Sequence, residues 1–208
     1  KGWYEWPLMH IPIFMIIAFF AMILIFAVGG FPIAAAVIFA LVLIFTTFLL
    51  GAIAVRVMGE TGIEPVSGTS FIVLLMLLLT FLALGDPLGL TREGAVLMAL
   101  VGTTVFGSAI SMSGTVVADY KNSLYIGNRP YHISKGNIMG VVPGAILGAA
   151  VAIFLSDLLA TGKIDLLAPQ ANAFASFTIV LESGNGDFRA LFLGMLLGAF
   201  AEWATGMG

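Results

Sequence analysis

Two carboxylates stand where few are expected. Glu60 and Glu64 lie in the stretch GETGIEPVSGTS, residues 59–70, between the apolar runs AVIFALVLIFTTFLLGAIAV and FIVLLMLLLTFLAL. An ionisable side chain facing a membrane cavity is a functional candidate by default, and burial moves a carboxyl pKa toward the range useful for proton exchange. The chemistry these residues suggest is therefore the uptake and release of a proton or cation. Covalent catalysis has no comparable support. The sequence contains no nucleophile-elbow motif and no readable carboxylate–histidine pairing. It has no phosphate-loop spacing and no cysteine, and His10 and His132 are isolated from each other. The chain is expected not to be an enzyme and to need no metal or cofactor.

The backbone around the carboxylates is built to unwind. Gly59, Gly62 and Gly68 each weaken a helix, and Pro65 breaks one. Glu64, preceding Pro65, is pushed toward extended geometry. Such a break has two readings. It is an aqueous loop capping two helices, or it is an unwound segment inside the membrane, where transporters present freed amides and carbonyls to a substrate. On the second reading Gly62, Pro65, Ser67, Gly68 and Thr69 contact substrate, and Ser67 or Thr69 caps the helix that follows. The segment LLAPQANAF, residues 166–174, repeats the pattern: Pro169 begins a short apolar element beside the polar Gln170 and Asn172. A third polar cluster, residues 118–136, holds Asp119, Lys121, Arg129, His132 and Lys135 and reads as a loop between two spans.

The elements that must position these groups are membrane helices. Of the 208 residues, 61% are hydrophobic and 9% charged, against roughly 25% charged in a soluble domain. The mean hydropathy is +1.13. The apolar runs are long and continuous, which excludes a barrel of short alternating strands. The fold class is thus all-α integral membrane: a polytopic helical bundle of about six spans with broken or re-entrant half-helices. Spans are predicted over 8–28, 32–55, 66–84, 94–118, 136–158 and 189–206, with 166–181 as the half-helix. The GGFP turn at 29–32 joins the first two as a hairpin, and Trp3, Tyr4 and Trp6 suit an interfacial anchor.

Alternating spans put Lys1, Arg56, Lys121, Arg129 and Lys135 on one side, predicted cytoplasmic, and Arg92 and Lys163 on the other. Small residues recur at every fourth position in three places. They are Gly136, Gly140, Gly144 and Gly148, then Ala190, Gly194 and Gly198, and then Thr103, Gly107, Ser111 and Thr115. Each such row lets a second helix approach closely, and the hydroxyl-bearing row also suits a water-filled path. Pro143 is expected to kink its helix. Residues 1–208 are read as a single transmembrane domain, a piece or half-unit of a larger protein. Its partners are the lipid bilayer and either the remaining half or a second copy. The net charge of −3 gives no footprint for nucleic acid.

Three segments together resemble the oligopeptide transporter family. VRVMGETGIEPVSGTSFIVLLML (55–77) is similar to its Arg-x-x-Gly segment followed by Asn-Pro-x-Ser-Gly and an apolar helix. ADYKNSLYIGNRP (118–130) is similar to its Asp-x-Lys loop through Asp119, Lys121, Gly127 and Pro130. LLAPQANAFAS (166–176) is similar to its Ala-Pro-Gln-Ala segment through Ala168, Pro169, Gln170 and Ala171. The sequence departs at Glu64, where the family commonly has Asn, and at Asn122 and Ser123, where Thr-Gly is frequent. The family's members are much longer, and this chain corresponds to part of their second half.

The resemblance implies a secondary active transporter of small peptides or metal chelates, coupled to protons, in the plasma membrane. On that reading Glu60, Glu64 and Asp119 are the proton-coupling candidates. Substrate meets the residues of the first break together with Gln170 and Asn172. The alternative is a non-transporting membrane subunit that packs against other membrane proteins.

Overall fold

The computed structural model describes residues 9–84, 87–164, 171–172, 174–176, 178–179 and 188–205. It is helical throughout, with no strand among the described residues. Among the described residues the long helices are, in order, α1 (His10–Val28), α2 (Ile33–Thr61), α3 (Val66–Leu84), α4 (Arg92–Tyr125), α5 (Pro130–Ala160) and α6 (Phe188–Thr205). Further helical residues are described between 171 and 179. Four of the helices, α1, α2, α4 and α5, are long and apolar enough to cross a membrane; α3 and α6 contain shorter apolar stretches. The predicted anchors Trp3, Tyr4 and Trp6, with Lys1, Pro169 and Gln170, lie outside the described residues.

Each helix boundary has a local cause. Gly30, at φ +83°, closes the turn between α1 and α2, and Pro32 leads into α2. Gly62 ends α2 in the left-handed conformation, at φ +74°, its N–H bonded to the Met58 carbonyl. Pro65 then blocks continuation, and α3 begins at the next residue. The unwound stretch is therefore 62–65, shorter than the 59–70 that the composition predicts. Thr69 does not cap α3: its hydroxyl donates back to the Pro65 carbonyl at 2.7 Å. Thr91 does cap α4, accepting from the Gly94 N–H at 3.1 Å. Thr91→Ala is expected to cost about 1 kcal/mol, read as a lower midpoint of thermal unfolding in detergent.

The largest departure from expectation is at 118–136. Instead of a long loop, α4 continues to Tyr125 and α5 starts at Pro130, leaving residues 126–129 as the turn. Asp119 and Lys121 sit on a helix, because charged side chains at a bundle's end are compatible with helical backbone. What ends α4 is Gly127, at φ +73°, and what starts α5 is Pro130 in its first turn. Ser123 donates to the Asn128 carbonyl across this turn at 3.1 Å. Tyr120 and Ser134 then join α4 to α5 through a 2.5 Å hydroxyl pair.

α4 is the central helix. It packs most extensively on α3, then on α2, and touches α5, while α1 packs on α2. Gly102 of α4 faces Phe39 and Leu43, early in α2, and Gly114 faces Met58, in the last turn of α2. The two helices therefore run in the same direction. α3 runs against them, since Leu77 lies beside Gly102 and Val66 beside Gly107. The core is aromatic at its centre: Phe39 packs against Phe26 with ring centroids 5.0 Å apart and against Phe81 at 4.6 Å.

This arrangement gathers Arg56, Lys121, Arg129 and Lys135 at one end of the bundle, as the loop charges predict. Among the described residues the glycine row of α5 has no neighbour: a Cβ at Gly136, Gly140, Gly144 or Gly148 would stand in open space, and so would one at Gly194 or Gly198 of α6. α5 stays helical on both sides of Pro143.

Candidate functional site

The row Thr103, Gly107, Ser111 and Thr115 positions the site. At its upper half, α4 faces the N-terminal turns of α3. Thr103, Thr104, Gly107 and Ser108 line a cleft of about 450 Å³ with Val66, Ser67 and Ser70. The third wall comes from Ala171 and Phe174, within the second polar segment of residues 166–174, and from Ala175 just after it. Phe174 stacks on Phe71 of α3, centroids 4.3 Å apart. The first turns of α3, which follow the break at 62–65, and residues 171, 174 and 175, about a hundred residues later in sequence, thus meet at one cleft.

The cleft carries no charged residue among its lining groups. Its polarity comes from hydroxyls. Thr103, Thr104 and Ser108 donate to carbonyls of their own helix at 2.7, 2.9 and 2.9 Å. Their oxygens therefore face outward as acceptors. The cleft runs along the middle of α4, beside the first turns of α3 that follow the break.

The break itself lies nearer the bundle's end. The 29-residue α2 extends roughly 43 Å at 1.5 Å per residue, beyond a hydrocarbon core about 30 Å thick. Ile63 is 70% exposed within the chain. Gly62 and Gly68 are exposed, with open space around each. Pro65 is partly buried, and its carbonyl is held by both the N–H and the hydroxyl of Thr69.

The carboxylates separate clearly. Glu60 is exposed on α2 and pairs with Arg56 one turn earlier at 3.1 Å. Glu64 turns inward: it is partly buried and accepts a hydrogen bond from Ser111 at 3.1 Å, forty-seven residues away in sequence. Asp119 is partly buried within the last two turns of α4. Ser67 is exposed on the cleft wall, and Asn172 is exposed and helical, one residue beyond Ala171. Gln170 lies outside the described residues. Among the described residues no group of three or more acidic or histidine side chains could hold a metal.

Sequence reasoning did not single out Ser70, Gly114 or Phe174. Their place in the site depends on the register of α3 and of residues 171–179 against α4, which no local pattern encodes. Thr103, Gly107 and Ser111 did carry a signal, a small polar row at helical spacing.

A family model described as OPT oligopeptide transporter protein matches residues 6–205. Neither the curated proteins nor the solved structures contain a match.

Proposed function

From the premise that this chain belongs to the OPT oligopeptide transporter family, we propose that it takes part in proton-coupled movement of small peptides or metal chelates across the plasma membrane, acting as a transporter and not as an enzyme. The observation that carries this reading is the cleft where the first turns of α3, the hydroxyl row of α4 and residues 171, 174 and 175 come together. Substrate occupies that cleft. Ser67, the acceptor hydroxyls of Thr103, Thr104 and Ser108, and Gln170 and Asn172 supply its polar contacts. Glu64, three residues before Ser67, is the titrating group. Glu60 is the weaker candidate because it is exposed and already paired. Asp119, farther along α4, is a second relay position.

A single-cysteine variant tests the site cleanly, since the sequence has no cysteine of its own. Ser67→Cys in proteoliposomes is expected to react with a maleimide severalfold more slowly when tetra-alanine or an iron(III)–hydroxamate chelate is present. Rapid labelling with no protection by either probe favours the non-transporting subunit, for which the exposed glycine row of α5 supplies a packing face.

A further inference from the structure

We propose that Gly114 and Ser111 of α4 are positioning residues for the Glu64 carboxylate: Gly114 leaves the space in which it sits, and Ser111 donates the hydrogen bond that orients it. The inference rests on the reading of Glu64 as the proton-exchanging group, but its geometry stands apart from that reading.

Gly114 is buried. A Cβ there would lie 2.5 Å from Glu64 Oε1, 3.0 Å from its Cδ and 2.6 Å from Met58 Sδ. No side chain fits at that position while Glu64 holds its place. Pro65 limits backbone movement at residue 64, so an added side chain would have to displace the ends of the Glu64 and Met58 side chains and break the bond to Ser111. The contrast with the other glycines is instructive. Gly107 would bring a Cβ to 3.1 Å from the Ser70 hydroxyl, and the α5 row has open space. At Gly114 the missing side chain is replaced by an acidic group from another helix boundary.

Ser111 is the second, independent mark. Its neighbours Thr104, Ser108, Ser113 and Thr115 all donate to carbonyls of α4 itself. Ser111 instead donates outward, to Glu64 Oε2. A serine in mid-helix ordinarily satisfies its proton on the preceding turn. Here the proton is used to hold a carboxylate, an interaction stronger than a neutral hydroxyl contact. The two residues lie three apart, on one face of α4, so Ser111 binds Oε2 while Oε1 lies over the bare Gly114 backbone.

Charge near this seat is sparse. α3 carries no charged residue within Val66–Leu84. On α2, Arg56 and Glu60 pair with each other. On α4, Asp119 lies five residues beyond Gly114, more than a turn away. The contacts that place the Glu64 carboxylate are therefore those with Ser111 and at Gly114.

A double-mutant cycle tests the seat. Gly114→Ala is expected to lower the thermal midpoint in detergent more when Glu64 is present than in a Glu64→Ala background, where the helix-propensity gain is the same and only Met58 Sδ still opposes the new methyl. Equal losses in both backgrounds overturn the inference. Should Gly114→Ala fail to fold in either background, Ser111→Ala decides. It removes only a hydroxyl, and it is expected to raise the labelling of Glu64 by a hydrophobic carbodiimide severalfold by mass spectrometry and to displace the midpoint of the pH profile of uptake. Unchanged labelling with an unchanged profile overturns the inference. A proton role for Glu64 is tested separately, by Glu64→Gln, so the seat and the coupling can fail independently.

Discussion

Glu64→Gln is expected to abolish uptake driven by an imposed pH gradient in proteoliposomes while sparing substrate exchange at equal pH. Gln preserves the volume beside Gly114, and its amide oxygen still accepts from Ser111, so packing and substrate access survive. What disappears is the capacity to gain and lose a proton, and with it any use of the gradient. The loss of the driven component should be complete, because a group that does not titrate carries no protons. Glu60→Gln is the informative control. Its ion pair with Arg56 is an exposed pair one turn apart on a helix, worth about 0.3–0.5 kcal/mol. Uptake by that variant should be nearly that of the wild type. Undiminished gradient-driven uptake by Glu64→Gln would remove Glu64 from the mechanism and leave Asp119 as the next group to test.

Gly102→Leu is expected to prevent recovery of a monodisperse protein on size-exclusion chromatography. A Cβ at this position would stand 2.5 Å from Phe39 Cε1, 3.2 Å from Leu77 Cδ1 and 3.3 Å from Leu43 Cδ1. All three neighbours are fully or almost fully buried, and Phe39 is clamped between Phe26 and Phe81. Two effects oppose each other. Replacing glycine inside a helix gains about 1 kcal/mol of helix propensity. Overpacking a filled core costs roughly 1–3 kcal/mol for small insertions, and Leu brings an entire side chain into the crossing of α2, α3 and α4. The second effect dominates. A normal elution profile would mean that the three helices do not cross at Gly102.

How far the sequence discloses this architecture varies by segment, for physical reasons. The α1–α2 hairpin is legible because GGFP needs a positive φ and then a proline, and the structure places Gly30 at +83° there. The break between α2 and α3 is legible for the same reason: only Gly62 accepts the left-handed cap, and Pro65 cannot continue a helix. Length is less legible. α2, α4 and α5 run beyond the apolar cores of their spans, because helices end where capping chemistry ends them and not where hydrophobicity fades. The 118–136 segment shows this best, with its turn set by Gly127 and Pro130 while its charges ride on helices.

The distinction between Glu60 and Glu64 is not legible at all. Both sit in one polar stretch. Only the register that brings Ser111 and Gly114 opposite the break turns one inward and leaves the other with Arg56. Likewise the polar row of α4 is visible as a row, but its opposite wall at Ser70 and Phe174 emerges only from tertiary packing.

The junction at 126–129 bears on how α5 can be steered. α5 is a rod of 31 residues, roughly 46 Å long, and its buried residues, Pro130 and Ser134, both lie in its first two turns. A rod footed at one end acts as a lever arm. The tie at its foot is the Tyr120–Ser134 pair, nine residues along α4 from Ser111, so any load on the far end of the rod would be borne at that joint.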